Sequence, residues 1–258
     1  MKVVILAGGK GTRLSSESSV LPKPLVEIGG KPILWHIMKH YSHYGHNEFI
    51  ICCGYRGYAI KEYFADYYLH NCDITFDFCD RGTMTTHASH TEPWKVTLID
   101  TGLDTMTGGR IKRIRDYIKD EPFLLTYGDG VSDVDLHELV AFHRGHGKLA
   151  TLTAVGVEQR FGVLDVDEAG GVHAFREKSS LDSNLINAGF MVLEAPVFDY
   201  IAGDHTIFEK EPLEKLTAAG QLSAFKHDGF WQCMDTPRDY ERLQNLWQEQ
   251  PPWRVWGA

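Results

Sequence analysis

The sequence lacks the features that mark membrane, secreted or nucleic-acid-binding proteins. None of its 258 residues belongs to an apolar run that approaches a membrane span, and no basic N-terminal segment leads into an apolar core of signal-peptide length. The formal net charge of −9 argues against a surface for nucleic acids or anionic membranes. The five cysteines are odd in number and form no Cys-x-x-Cys motif, so we expect reduced thiols. These absences predict a cytoplasmic protein with no nucleic-acid or membrane partner.

The chain also lacks a pattern for a histidine metal site, although it contains 13 histidines. His40, His43 and His46 lie three residues apart, but this spacing drifts around a helix, and Gly45 is expected to end the helix before His46. No cysteine or carboxylate is spaced to complete a closed tetrahedral site. We therefore predict that these histidines are solvated.

What the chain does contain is an alternation of strand and helix patterns. Short apolar, β-branched runs predict strands, and runs with helical period predict helices. The predicted strands cover residues 3–7, 48–53, 73–78, 95–100, 123–127, 150–155 and 186–190, with a hairpin over 161–166 and 170–175. The predicted helices cover 32–44, 58–69, 110–118, 136–146, 196–201 and 211–219, with a last helix capped by Thr236. Residues 80–93 carry no clear pattern, and 101–109 are predicted to be a loop.

This alternation predicts an α/β fold with a Rossmann-like, mostly parallel mixed sheet and helices on both faces. We predict a single domain over residues 1–258, with 1–130 forming one half and 131–258 the other, including a small appended C-terminal region. The aromatic tail, residues 251–256, is expected to dock on the body of the protein or on a neighbouring subunit.

A glycine-rich stretch follows the first predicted strand. Residues 6–14 read Leu-Ala-Gly-Gly-Lys-Gly-Thr-Arg-Leu. Glycines let backbone N–H groups approach a phosphate closely, and Thr12 and Arg13 can add side-chain donors. The stretch is not a Walker loop, because Gly11 follows Lys10, and it is not a dinucleotide fingerprint, because Leu14 stands where the third glycine belongs. It predicts a phosphate-binding turn of another kind.

Two further motifs follow this turn. Residues 21–25 read Leu-Pro-Lys-Pro-Leu, so that two prolines stiffen the backbone around Lys23, and residues 29–33 read Gly-Gly-Lys-Pro-Ile. In this order and spacing, the three motifs resemble the signature of the sugar-phosphate nucleotidylyltransferases, also called sugar-nucleotide pyrophosphorylases. The resemblance continues through residues 127–129, 161–162, 177–178, 187–189 and 234–237.

The resemblance implies a reaction and a set of catalytic residues. A sugar 1-phosphate oxygen attacks the α-phosphorus of a nucleoside triphosphate and expels pyrophosphate, so catalysis rests on positioning and charge neutralisation. Arg13 is implied to bind the β- and γ-phosphates, and Lys23 to bridge the α-phosphate and the attacking phosphate. Asp129 and Asp235 are implied to hold Mg²⁺, which prefers one or two carboxylates together with phosphate oxygens.

The resemblance also implies a fold of the nucleotide-diphospho-sugar transferase type and a set of binding residues. The predicted nucleotide-binding residues are Leu6, Ala7, Gly8, Gly9, Lys10, Gly11, Thr12, Arg13, Lys23, Thr105, Arg110 and Gly128. The implied sugar-phosphate-binding residues, in the second half and its appended region, are Gly162, Glu177, Lys178, Asn187 and Gly189. Because Gly8 and Asp129 both follow predicted strand ends, one site can collect both halves of this set.

Some of these residues, and the chain as a whole, could serve different roles. Asp129 lies between two glycines and could serve a turn, and Asp235 could support the following helix, although Thr236 is the better cap. A non-catalytic relative would have lost one of the four catalytic residues, and none is lost here. A nucleotide-sugar-dependent glycosyltransferase typically carries Asp-x-Asp, where this chain has Gly-Asp-Gly.

A longer segment indicates which nucleotide the protein uses. Residues 100–110, together with 92–94 and 230–232, resemble the branch of the family that transfers cytidylyl groups. The resemblance implies CTP and α-D-glucose 1-phosphate as substrates, CDP-glucose for bacterial surface sugars as product, and a homo-oligomer. The alternatives are dTTP or UTP, or another hexose 1-phosphate. A site for cytosine must offer an acceptor and a donor, and Thr105 and Arg110 are predicted to line that pocket.

Overall fold

The structure is a computed structural model that describes residues 1–11, 21–157, 163–166, 172–176 and 184–257. Its strands are β1 (Lys2–Ala7), β2 (Glu27–Ile28), β3 (Lys31–Pro32), β4 (Glu48–Cys53), β5 (Cys72–Asp77), β6 (Thr83–Ser89), β7 (Lys95–Asp100), β8 (Phe123–Tyr127), β9 (Gly130–Ser132), β10 (Ala150–Val157), β11 (Val163–Val166), β12 (Val172–Arg176), β13 (Asn184–Asn187), β14 (Met191–Leu193), β15 (Leu222–His227) and β16 (Trp231–Cys233). Its α-helices are α1 (Ile33–His43), α2 (Gly57–His70), α3 (Thr107–Arg113), α4 (Arg115–Ile118), α5 (Leu136–His146), α6 (Glu211–Ala218) and α7 (Pro237–Gln248), with 3₁₀ turns at Lys23–Leu25 and Ala195–Tyr200.

A mixed sheet runs through the described chain in the order β13-β10-β14-β8-β1-β4-β7, and β15 also pairs with β10. Strand β1 pairs in parallel with β4 and β8, as do β4 with β7 and β10 with β15. Strand β14 is antiparallel to β8 and β10, and β13 is antiparallel to β10. The predicted mostly parallel mixed sheet is therefore confirmed. Because β8 pairs with β14, the sheet spans both predicted halves, and the boundary at residue 130 stays a prediction.

The core lies on both faces of this sheet. Along β1, Val3 and Ile5 belong to one buried cluster and Val4 and Leu6 to the other, as the alternation of a strand requires. Helices α1, α2, α5 and α7 contribute buried side chains to the first cluster, and α3, α4 and α6 to the second. The predicted helices on both faces are confirmed, and the strands read as continuous apolar runs because both of their faces are covered.

Helix α3 differs from its prediction. The predicted loop over 101–109 gives way to helix at Thr107, and the predicted helix over 110–118 is interrupted at Ile114. A Cβ atom at Gly108 would lie 2.7 Å from the Thr206 carbonyl oxygen, and one at Gly109 would lie 2.5 Å from the Asp204 Cα. The two glycines, which predicted a loop, instead permit close packing of a helix.

Three strand predictions also need correction. Residues 80–93 contain β6, which pairs with β5 in a separate antiparallel hairpin, so β5 lies outside the central sheet. The predicted strand over 186–190 divides into β13 and β14, because Gly189 and Phe190 have φ values of 81° and 44°. Strand β15 was not predicted, since a parallel pairing with β10 leaves no local signal. Non-local pairing explains the first and third differences, and local backbone conformation explains the second.

The histidines of α1 are not all solvated, which corrects another prediction. His36 and His40 are 0% and 3% exposed, whereas His43 is exposed. Burial lowers the pKa of His36 to about 4 and that of His40 to about 3, so both rings are neutral near pH 7. These residues belong to the core.

The C-terminal tail docks on the body of the protein, as one of the two predicted alternatives stated. Trp253 is fully buried and Trp256 is 8% exposed. Their rings lie against α1, with Trp253 packed on His36 and Trp256 on Trp35. Among the described residues, no helix combines the length and apolarity that crossing a bilayer requires.

Candidate active site

A cleft of about 370 Å³ opens where β1 and β8 end. Its walls come from the glycine turn after β1, the 3₁₀ turn at Lys23–Leu25, the start of α3 and the segment after β8. In α/β sheets, ligands bind at the carboxyl ends of the strands, where loops and helix N-termini converge. Gly8 and Asp129, which were expected to meet, both line this cleft.

Lys23 holds the two predicted metal carboxylates together. Its ammonium nitrogen lies 2.7 Å from Asp129 Oδ2 and 2.5 Å from Asp235 Oδ1. The side chain is 10% exposed, and burial by itself lowers the pKa of Lys23. The charges and hydrogen bonds of the two aspartates outweigh that effect and raise the pKa, so the ammonium stays charged. The prolines on either side of Lys23 set its direction, since Leu25 N–H closes a turn on the Pro22 carbonyl.

A short ladder explains how aspartates 106 residues apart meet at one lysine. Strand β9 pairs with β16, so that Gly130 lies opposite Cys233, and the Met234 N–H donates to the Asp129 carbonyl at 2.8 Å. Asp235 follows directly and precedes the capping box of α7, in which Thr236 is the N-cap. The cap is therefore Thr236, as predicted, and the Asp235 carboxylate points to Lys23.

Arg110 supports the glycine turn from behind. Its guanidinium is part of a side chain only 5% exposed and donates to the carbonyls of Gly8, Cys53, Gly102 and Leu103 and to the hydroxyl of Thr101. Burial lowers the pKa of the guanidinium, which still remains charged in proteins. A Cβ at Gly8 would lie 2.2 Å from this group, so a larger residue there would displace the guanidinium from its hydrogen-bond partners. Arg110 ties the loop after β7 to the turn after β1.

The predicted nucleotide-binding residues that the structure describes are brought together, with one exception. The cleft is lined by Leu6, Ala7, Gly8, Gly9, Gly11, Lys23, Thr105, Arg110 and Gly128 from the predicted set, and by Pro24, Met106, Thr107 and Tyr127 from outside it. Lys10 instead has an exposed side chain and lies 3.4 Å from Asp104. Thr12, Arg13, Gly162, Glu177 and Lys178 lie outside the described residues, so their roles remain predictions.

A second compartment of about 600 Å³ shares a wall with the cleft. Tyr127, Asp129 and Asp235 line both spaces. The second space is also lined by Asn187 and Ala188, from the predicted sugar-phosphate segment, and by Glu209, Trp231 and Cys233. Gly189 lies behind this wall, where a Cβ would come within 3.0 Å of the Tyr127 ring. The two carboxylates thus stand between two compartments.

Sequence reasoning missed the group that divides these compartments. The Tyr127 hydroxyl donates to Glu209 Oε1 at 2.6 Å, and the Thr107 hydroxyl donates to Glu209 Oε2 at 2.5 Å. Burial and the nearby Glu209 charge raise the pKa of Tyr127, so the phenol keeps its proton. Tyr127 was within reach of a prediction because it stands two residues before Asp129. Glu209 was not, since its partners are 82 and 102 residues away.

Comparison with known proteins shows the family of the chain. Residues 2–250 match the family model described as nucleotidyl transferase. The chain belongs to the nucleotidyl transferase family, and its predicted standing as an enzyme of that family is confirmed.

Individual relatives are similar over almost their whole length. The chain is 57% identical to the glucose-1-phosphate cytidylyltransferase of Salmonella typhi, over 99% of this chain and 100% of the relative. It is 47% identical, with the same coverage, to the probable glucose-1-phosphate cytidylyltransferase of Bacillus subtilis strain 168. The solved structure of HddC from Yersinia pseudotuberculosis complexed with GMP-PN has a TM-score of 0.70 and 28% identity, covering 95% of this chain and 99% of HddC.

Proposed function

We infer that this enzyme transfers the cytidylyl group of CTP to α-D-glucose 1-phosphate, giving CDP-glucose and pyrophosphate. The observation that carries the proposal is the Lys23 ammonium, which lines the cleft and contacts Asp129 and Asp235, the two carboxylates that line both compartments. A two-substrate reaction at phosphorus needs such an arrangement, because the two substrates must be held on either side of the groups that position their phosphates. The 57% identity to a cytidylyltransferase supports the choice of substrates.

The chemistry required is mainly electrostatic. A sugar phosphate must approach a triphosphate, and both are anions, so the barrier falls when fixed cations neutralise the charge that gathers around the α-phosphorus. Lys23 is held in place before substrate arrives, because its stem is buried and its ammonium already has two partners. It bridges the α-phosphate and the attacking phosphate. Arg13 is the second cation in the proposal and binds the leaving pyrophosphate.

The carboxylate pair suits Mg²⁺. Asp129 and Asp235 turn oxygens toward one point, now marked by the Lys23 nitrogen, and oxygen ligands from one or two carboxylates with phosphates are what Mg²⁺ prefers. When bound, the ion supplies Lewis-acid stabilisation of the phosphate oxygens. Because the Lys23 ammonium occupies the same point, it would leave the carboxylates and turn to the phosphates when the ion is bound.

We propose that the loop after β7 recognises the nucleobase. Thr105 and Arg110 line the cleft, and Arg110 fixes the Gly102 and Leu103 carbonyls by donating to both. Fixed backbone groups can recognise one hydrogen-bonding edge, because a wrong base leaves buried polar groups without partners. The HddC structure contains a guanine nucleotide analogue, so guanine is the base against which discrimination is best tested. A homo-oligomeric state and a product used for bacterial surface sugars are further parts of the proposal.

A substrate panel tests the function. Purified protein is incubated with Mg²⁺, glucose 1-phosphate and each of CTP, UTP, dTTP, ATP and GTP in turn, and pyrophosphate release is measured. We expect the kcat/KM for CTP to exceed that for any other nucleotide by at least about a hundredfold. Mannose and galactose 1-phosphates with CTP provide the matching sugar comparison. A preference for GTP or dTTP would overturn the nucleotide assignment, and no pyrophosphate release with any pair would overturn the reaction.

A further inference from the structure

The second compartment contains a carboxylate that the proposed phosphate chemistry does not use. Glu209 lines this space, and each of its oxygens accepts a hydrogen bond from a neutral hydroxyl, one from Tyr127 and one from Thr107. The Thr107 hydroxyl in turn accepts from the Phe208 N–H at 2.9 Å, so its proton is directed at Glu209. The carboxylate is therefore held in a fixed orientation.

Counting the described residues only, this carboxylate has unused hydrogen-bonding capacity. An ionised carboxylate offers about four acceptor positions, and the two hydroxyls fill two of them. Within the described part of the chain, no lysine, arginine or histidine forms an ion pair with Glu209. A half-buried anion without a cation is stabilised by further O–H or N–H donors. A ligand in the second compartment therefore binds more tightly if it places O–H or N–H donors against Glu209.

The charge of Glu209 also limits which part of a substrate can lie against it. A phosphate would be repelled, so the phosphate end belongs near Lys23 and the Glu209 end receives a neutral group with donor hydroxyls. Trp231 lines the same space, and its indole N–H is fixed on the Ala188 carbonyl at 2.8 Å. A fixed aromatic ring beside a carboxylate complements a pyranose, which has an apolar C–H face and hydroxyl donors at its rim.

We propose that Glu209 accepts a hydrogen bond from a hydroxyl of the hexose and thereby determines which sugar 1-phosphate is used. The proposal rests on the proposed function and adds a specificity-determining residue to it. Glu209 lines the second compartment and not the cleft that Lys23 lines, so we assign it to binding and orienting the sugar ring. The hydroxyl concerned is the one that reaches Glu209 when the phosphate is near Lys23.

Direct binding separates this role from a structural one. The variant Glu209→Gln keeps the size and shape of the side chain but removes its charge. We expect it to weaken CDP-glucose binding by roughly ten- to a hundredfold in isothermal titration calorimetry and to leave CDP binding unchanged, since CDP has no hexose. Glu214→Gln, an exposed change on α6, is the matched control and should alter neither affinity. Equal weakening of CDP and CDP-glucose, or weakening of neither, would overturn the proposal.

Sugar selectivity gives an independent test. Among the 2-, 3-, 4- and 6-deoxy analogues of glucose 1-phosphate, wild-type enzyme should discriminate strongly against the one that lacks the hydroxyl bound by Glu209. Glu209→Gln should lose that discrimination while its KM for CTP stays unchanged. Tyr127→Phe, which removes one donor but leaves the carboxylate, should retain it. If wild-type enzyme is inactive with every sugar phosphate, the proposed function fails; if it is active and Glu209→Gln keeps the wild-type selectivity, only this inference fails.

Discussion

At the scale of single residues, the Lys23 ammonium and the carboxylates of Asp129 and Asp235 stabilise one another. The Asp129 and Asp235 side chains are 31% and 36% exposed, and each contacts the same ammonium. Two carboxylates brought together without a cation repel each other, so the lysine stabilises their arrangement before any ligand is present. The same ammonium stands where a metal ion would be drawn, and lysine and metal therefore compete for these carboxylates.

The contacts of Lys23 with both carboxylates lead to a prediction for Lys23→Ala. We expect kcat with CTP and glucose 1-phosphate to fall by at least about a hundredfold, because a preorganised cation at the α-phosphate is lost. Differential scanning fluorimetry should show a larger rise in Tm on adding MgCl₂ than for wild type, since the carboxylates no longer have the ammonium. Lys39→Ala, which breaks the Lys39–Glu92 pair outside the cleft, is the control and should change neither. A near-wild-type kcat in Lys23→Ala, or a magnesium shift that survives Asp129→Asn and Asp235→Asn, would contradict the assignment.

At the scale of elements, α1 carries a titratable group into the core. His36 is fully buried, its Nε2–H donates to the Ile28 carbonyl at 2.8 Å, and its Nδ1 accepts from the Trp253 indole at 3.4 Å. The ring is therefore a neutral tautomer with both nitrogens in use. Burial lowers its pKa from 6.5 to about 4. A second proton on Nδ1 would face the Trp253 N–H.

The consequence is a stability that depends on pH. The folded-state pKa lies below the unfolded value, so the stabilisation is complete above pH 6.5 and is lost as the pH falls toward about 4. From His36 we expect a loss of about 2 kcal/mol in the free energy of unfolding between pH 7 and pH 5, measured by urea denaturation. His36→Gln should be less stable at pH 8 but should lose less stability on acidification. His70→Gln, at an exposed position, should keep the wild-type slope, and an unchanged slope in His36→Gln would refute the prediction.

At the scale of the whole molecule, the C-terminal tail closes the core on the α1 side of the sheet. Trp253 stacks on Phe230 and Trp247, with ring centroids 5.6 and 6.2 Å apart, and contacts His36. Phe230 directly precedes β16, which is paired with β9 beside Asp129. The tail therefore supports the ladder that brings the two aspartates together.

Removal of this support should be costly. We expect Trp253→Ala to lower the free energy of unfolding by about 3–5 kcal/mol, the usual cost of deleting a large buried aromatic side chain. Chemical denaturation and Tm would measure the change. Tyr58→Ala, at a position 77% exposed, removes another large aromatic ring and should stay within about 0.5 kcal/mol of wild type. Equal stabilities for the two variants would show that the tail does not belong to the core.

Much of this arrangement could be predicted from local pattern. The apolar runs of β1, β4 and β8 predicted the boundaries of these strands to within a residue or two, because a strand buried on both faces is marked by its composition. Strand β7, which is only partly buried, was predicted from its alternation. The start of α7 could be predicted from Thr236 and the proline after it, because capping is a local interaction. The glycine turn and Lys23 were readable because three motifs stand in a fixed order within the first 33 residues.

The rest depended on contacts between distant parts of the chain. Gly108 and Gly109 predict a loop by composition, yet they form a helix because Asp204 and Thr206 pack directly against them. Glu209 has no motif of its own and acquires a role only when Tyr127 and Thr107 donate to it. By itself the sequence determined the fold class and the family, since local composition and spacing specify both, and the residues of the phosphate site stay a prediction from the same motifs. Only the tertiary structure decided which carboxylate lines the second compartment and which histidines are buried, because burial and long-range hydrogen bonding arise when the layers pack together.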